Sequence, residues 1–118
     1  MHNTLFYGCG TALVTPFRGN RVDFDVMENL IDWQIDSDID ALIVLGTTGE
    51  PATISPSERT ALIECAVARC ARRVPLIIGT GCNNTRTAIQ QSVEAQMLGA
   101  DALLVVTPYY NRTSRAGI

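Results

Sequence analysis

The chain has 118 residues, 47% of them hydrophobic and 18% charged, with a net charge of −3 at neutral pH. That suits one globular domain with a small core, and it gives no electrostatic reason to bind nucleic acid or an anionic membrane. Every cationic side chain is arginine and lysine is absent; the one histidine, His2, sits at an N-terminus expected to fray, which excludes a His-based metal site or triad.

Residues 9–15 read as a first strand, stopped by Pro16, with Arg18-Gly19-Asn20 as a turn. Residues 25–37 read as a helix with Asp25 as cap and Glu28 completing a capping box, and with Val26, Leu30 and Trp33 on one face. Residues 41–45 are an apolar run too short for a helix, which reads as a buried strand of a parallel sheet. It ends in the loop Gly46-Thr47-Thr48-Gly49-Glu50-Pro51, at the strand's carboxyl end, where α/β folds place ligands. Thr47 and Thr48 offer hydroxyls and N–H groups to something anionic; a plain polar connection is the competing reading of this loop.

Ser55-Pro56-Ser57-Glu58 is the clearest helix start, with Ser55 as N-cap, Pro56 at the first helical position and Glu58 closing the box. This helix runs to about residue 73, with Leu62, Cys65, Ala66 and Cys70 toward the core. Arg69, Arg72 and Arg73 suit its negative end, as a solvated terminus. Residues 75–79 form a third strand, followed by Thr80-Gly81-Cys82-Asn83-Asn84. A third helix covers residues 85–98, with Ala88, Ile89, Val93 and Met97 inward and Gly99 closing it. Residues 102–106 are a fourth strand, followed by Thr107-Pro108-Tyr109-Tyr110-Asn111; Thr113 or Ser114 is placed to cap a further helix.

Strands recur at about thirty residues, the spacing of βαβ units with a parallel sheet. Leu13-Val14-Thr15-Pro16-Phe17 echoes Val105-Val106-Thr107-Pro108-Tyr109, and Leu45-Gly46-Thr47-Thr48-Gly49 echoes Ile78-Gly79-Thr80-Gly81-Cys82. Such repetition fits a barrel better than an open sheet. A (β/α)8 barrel needs ~250 residues. The expectation is therefore the N-terminal part of a TIM (β/α)8 barrel, about four βα units, with residues 1–118 an incomplete domain truncated after the fourth strand. The four cysteines, Cys9, Cys65, Cys70 and Cys82, make no C-x-x-C pair. Without a signal peptide or a membrane-length apolar run, a cytoplasmic location is expected.

Four loops should meet at one end of the sheet: Thr15-Pro16, Gly46 to Pro51, Gly79 to Asn84 and Thr107 to Asn111. They are rich in hydroxyls and amides, hold Glu50 as their one acid, and contain no metal cluster. Gly79-x-Gly81 lacks the third glycine of a dinucleotide fingerprint. The residues suit a small carboxylate held by N–H and O–H groups, with a tyrosine relaying protons. Tyr109 and Tyr110 read equally as rim packing, and Asn83 and Asn84 as helix caps.

Gly46-Thr47-Thr48-Gly49-Glu50, Gly79-Thr80-Gly81 with Asn83-Asn84-Thr85, Val106-Thr107-Pro108-Tyr109-Tyr110-Asn111 and the helix start Ser55-Pro56-Ser57-Glu58 together resemble the 4-hydroxy-tetrahydrodipicolinate synthase (dihydrodipicolinate synthase) family. The resemblance runs from Gly8 onward. It implies a (β/α)8 barrel, a homotetramer built from tight dimers, and condensation of pyruvate with L-aspartate 4-semialdehyde in the diaminopimelate and lysine pathway. It implies a Schiff-base lysine later in the barrel and no separate cofactor. It also implies that the Thr47 and Thr48 N–H groups bind the pyruvate carboxylate. Thr47 and Tyr110 would be catalytic, sharing a proton relay that Tyr110 joins from the neighbouring subunit. The lysine, the relay's other tyrosine and a substrate-binding arginine would lie beyond Ile118.

With no lysine, the 118 residues alone are expected to be inactive. In lysine-inhibited members an effector site lies near the positions of Pro51, Ala52, Asn83, Thr87 and Tyr109. Asn83 and Tyr109 fit it, whereas Thr87 stands where such members often carry a glutamate and Pro56 where some carry a histidine, so lysine feedback is not expected. The alternatives are another pyruvate-dependent aldolase or lyase of the superfamily, such as N-acetylneuraminate lyase, and a non-catalytic half-barrel.

Overall fold

A computed structural model of the protein describes residues 3–118; His2 lies outside the described residues. In chain order the elements are β1 (Gly10–Ala12), β2 (Phe17–Arg18), β3 (Arg21–Val22), α1 (Phe24–Asp36), β4 (Ala41–Val44), α2 (Pro56–Cys70), β5 (Leu76–Gly79), α3 (Thr85–Leu98) and β6 (Ala102–Leu104). Single 3-10 turns cover Thr47–Gly49, Pro51–Thr53 and Arg115–Gly117.

β1, β4, β5 and β6 form one parallel sheet in that spatial order. Each strand lies beside its predecessor and the order never reverses. A doubly wound sheet would reverse at a switch point; consecutive addition is the order of a (β/α)8 barrel. The expected partial barrel is what the chain forms. β2 and β3 make a small antiparallel hairpin about the expected Arg18-Gly19-Asn20 turn.

Side chains alternate across the sheet. The register sets Ala12, Ile43, Ile77 and Ala102 in one row across one face. The opposite face sends Leu42, Val44, Leu76 and Ile78, all buried, against the helices. There they meet Met27 and Ile31 of α1 and Leu62, Ile63, Ala66 and Cys70 of α2. Those four α2 positions recur at helical spacing, so one stripe of the helix enters the core.

α2 begins as its sequence dictates. The Ser55 hydroxyl accepts the Glu58 N–H at 3.3 Å, and the Glu58 carboxylate accepts the Ser55 N–H at 3.0 Å. These bonds draw the Glu58 carboxyl below its ordinary pKa. The helix ends at Cys70 rather than near residue 73, because Ala71 turns left-handed with φ 49°. Arg69, Arg72 and Arg73 are exposed, as a solvated terminus requires, but Arg69 and Arg73 are also paired. Both bind Asp32 of α1, Arg73 at 2.8 Å, and they hold its carboxyl down at about 2. Cys65 is half-buried, and burial pushes its thiol up.

Three further expectations are corrected. The cap of α1 is Asp23, not Asp25: its carboxylate accepts the Val26 N–H at 3.1 Å and binds Arg18 of the hairpin at 2.9 Å. The β2–β3 hairpin brings Arg18 there, so the helix starts earlier. The face of α1 turned to the core is Met27 and Ile31, while Val26 and Trp33 are exposed. α1 carries two apolar stripes; the one with Met27 and Ile31 is buried, and Asp32 beside it is bound to Arg69 and Arg73 of α2 and its end. On α3, Ile89, Val93 and Met97 point outward, Met97 82% exposed, and Ala95 is the buried residue. Its inward face is instead partly polar: Ser92 donates to the buried Thr80 hydroxyl at 2.8 Å, and Glu94 accepts the Thr60 hydroxyl. Of the further helix there is only the Arg115–Gly117 turn, with Ser114 at its N-cap position making no side-chain cap bond.

Candidate active site

The carboxyl end of β4 is built around an unusual backbone. Leu45 is left-handed, with φ 60°. Its carbonyl lies where a Cβ on Gly79 would stand, at 2.0 Å, so only glycine at the end of β5 admits this bend. Arg59, which is 94% buried given its 6% exposure, donates from Nη2 to the Gly79 carbonyl at 2.8 Å and secures the β5 side of the contact. Burial draws the Arg59 guanidinium below its ordinary pKa.

Past the bend, Gly46 leads into the Thr47–Gly49 turn. The Gly49 N–H bonds the Gly46 carbonyl at 2.9 Å, and the Glu50 N–H bonds that of Thr47 at 3.1 Å. The opening N–H groups of such a turn have no partner inside it. Those of Thr47 and Thr48 are therefore free for a ligand carboxylate, and both residues are exposed.

Thr47 Oγ1 and Tyr110 OH lie 2.5 Å apart, joining the loop after β4 to the loop after β6. Tyr110 has φ 50° and packs edge-on against Tyr109, with ring centroids 4.7 Å apart. The space among Thr47, Gly79, Gly81, Tyr109 and Tyr110 is only about 20 Å³. Such a space holds roughly one water molecule. Two hydroxyls in direct contact can pass a proton between them. Here Tyr110 meets Thr47 of its own chain, whereas the resemblance implied a tyrosine arriving from a neighbouring subunit.

Asn83 and Tyr109 line a separate cleft of about 450 Å³ with Pro51, Pro56, Arg59 and Thr87. Glu94 also lines this cleft, its carboxylate already engaged by Thr60. Asn84 is the N-cap of α3, accepting the Thr87 N–H at 3.2 Å. Thr15, buried on the strand side of the β4 loop, donates to the Gly49 carbonyl at 2.7 Å. Sequence reasoning placed Thr15 among the loops but gave no role to Arg59. An arginine on a helix has no pattern that marks it as buried. Among the described residues, no group of three or more His, Cys, Asp or Glu is placed to hold a metal ion. No helix of the described residues is long and apolar enough to cross a membrane.

Known proteins are similar to this chain in sequence and fold. A 4-hydroxy-tetrahydrodipicolinate synthase from Alkaliphilus oremlandii is 51% identical over 114 residues, which cover 97% of this chain and 39% of that protein. The crystal structure of dihydrodipicolinate synthase from Thermotoga maritima superposes with a TM-score of 0.91 at 40% identity, over 97% of this chain and 39% of that one. The chloride-inhibited dihydrodipicolinate synthase from Acinetobacter baumannii, complexed with pyruvate, superposes with a TM-score of 0.88 at 41% identity, over the same 97% and 39%. The chain thus spans about 39% of the length of the curated relatives it matches. The sequence profile described as the dihydrodipicolinate synthetase family matches residues 5–118, and the chain belongs to that family.

Proposed function

We propose that the complete protein containing this chain is a 4-hydroxy-tetrahydrodipicolinate synthase. It condenses pyruvate with L-aspartate 4-semialdehyde in the diaminopimelate and lysine pathway, in the cytoplasm, as a homotetramer. The observation that carries this reading is the Thr47–Tyr110 hydroxyl contact at the carboxyl end of β4. It stands beside the two free N–H groups of a Gly-Thr-Thr-Gly loop, in a chain 51% identical to a synthase of that name. Pyruvate in the Acinetobacter baumannii relative supports the first substrate.

The chemistry assigned to these residues is specific. The Thr47 and Thr48 N–H groups hold the pyruvate carboxylate. A lysine beyond Ile118 forms an imine with the pyruvate ketone, and the iminium draws electrons so that a methyl proton can leave. The enamine then attacks the aldehyde. Thr47 Oγ1 and Tyr110 OH move protons during these steps. The space between Thr47 and Tyr110 is about 20 Å³, so pyruvate lies beside this contact, with its carboxylate on the Thr47 and Thr48 N–H groups. In the assembled protein Tyr110 also joins the relay of the neighbouring subunit. The cleft at Asn83 and Tyr109 is the effector position, and Thr87 offers it no carboxylate for the ammonium of lysine.

The 118 residues contain no lysine, which favours a second reading for this piece alone, a half-barrel without catalysis. The full-length product is to be mixed with pyruvate and L-aspartate 4-semialdehyde, and consumption of both followed by NMR. Joint consumption in equal amounts supports the synthase. Release of pyruvate from N-acetylneuraminate, with no consumption of the semialdehyde, would give the protein to the lyase branch instead.

A further inference from the structure

The turn that presents the Thr47 and Thr48 N–H groups is short, and what fixes it in place is a residue outside it. The backbone ladder of the sheet extends past β1, with the Leu13 N–H bonding the Ile43 carbonyl at 2.9 Å. This carries Thr15 to the end of β4, where the residue is 95% buried given its 5% exposure. Its hydroxyl donates to the Gly49 carbonyl at 2.7 Å. Gly49 is itself buried, and a Cβ built on it would stand 3.3 Å from Thr15 Oγ1 and 3.4 Å from the Leu13 carbonyl. The two residues approach so closely that a side chain on Gly49 would press Thr15 by a few tenths of an ångström. The Gly49 N–H already bonds back to Gly46, so the Thr15 bond fixes the far end of a turn whose near end starts at the Leu45 bend.

We propose that Thr15 is a positioning residue for the pyruvate carboxylate. It acts through Gly49 by holding the Thr47–Gly49 turn so that the Thr47 and Thr48 N–H groups converge. The proposal rests on the reading of these N–H groups as the carboxylate site. A buried hydroxyl that holds a binding loop shows itself in ground-state affinity. A merely structural residue lowers the folded fraction, which reduces kcat and leaves KM alone.

The test uses the full-length product with Thr15→Val, Thr15→Ser and Gly49→Ala, measuring kcat and KM for pyruvate and for the aldehyde separately. Thr15→Val should raise KM for pyruvate about tenfold, the loss of roughly one buried hydrogen bond, with the aldehyde KM unchanged. Thr15→Ser should restore the pyruvate KM, and Gly49→Ala should raise it as Thr15→Val does. If Thr15→Val does not fold, the Ser and Gly49→Ala variants still decide the matter: an unchanged pyruvate KM in Gly49→Ala overturns the proposal. So does a Thr15→Val enzyme with reduced kcat and normal KM, or a Ser variant impaired as much as the Val one. If the unsubstituted protein turns over no pyruvate at all, the carboxylate reading fails and takes the proposal with it, an outcome distinct from these.

Discussion

At the scale of single residues, the site depends on groups that never face the ligand. Gly79→Ala would set a Cβ 2.0 Å from the Leu45 carbonyl, a backbone atom that cannot rotate away. Overpacking of this kind costs about 1–3 kcal/mol. The denaturation midpoint of the full-length protein should fall accordingly, and its pyruvate KM should rise as the Leu45 bend relaxes. Arg59→Met should also destabilise, by about 1–3 kcal/mol, because the buried Gly79 carbonyl loses its donor. Circular dichroism melts check both. These two residues differ in how far the sequence betrayed them. Gly79 stood at the end of an apolar run, where a glycine-rich loop is a visible signal. Arg59 stood in a helix beside polar neighbours, and only the packing of α2 on β5 tells that it is inside. Thr47, Thr48 and Tyr110 stood out as candidates because their loops carry distinctive runs of residues. The meeting of Thr47 with Tyr110 of the same chain was not, because it depends on where a side chain points.

At the scale of elements, local signals placed the start of α2, while the start of α1 and the buried faces depended on tertiary contacts. The capping box made the start of α2 legible to the residue, and Ser55→Ala should lower stability by about 1 kcal/mol. The faces of α1 and α3 were misread for one reason. Each helix has an apolar stripe at the right spacing, and spacing cannot say which stripe meets the sheet. On α1, Asp32 joins the helix to Arg69 and Arg73. Its carboxyl sits at about 2 against an ordinary 3.8, held there by hydrogen bonds from Arg69 and then Arg73. A depressed folded pKa means stability that is in place above about pH 4 and is lost as pH falls toward 2. Asp32→Asn should therefore be less stable than the unsubstituted protein at pH 7. The two should converge near pH 2, as read from urea midpoints across that range. A gap that stays constant with pH would show that the carboxylate contributes nothing through its charge.

At the scale of the whole molecule, the order of the parallel strands follows the order of the chain; the spacing of apolar runs and helix starts pointed to βαβ units, and the barrel order came with the repeated loops and the family resemblance. The spacing could not show how unevenly the strands are protected. β4 and β5 have neighbours on both sides, while β1 and β6 each have one, and Leu103, Leu104 and Val105 at the β6 edge are exposed. In the 118-residue chain, amides of β4 and β5 should exchange with solvent deuterium far more slowly than those of β6. Uniform rapid exchange would mean that the sheet does not persist by itself. The central claim is that this sheet end holds pyruvate for imine chemistry in the complete protein. Intact mass spectrometry of the full-length product after incubation with pyruvate and borohydride tests it most directly. One reduced pyruvyl adduct per chain is expected, on a lysine beyond Ile118. A full-length chain that stays unmodified under conditions where it binds pyruvate would contradict it.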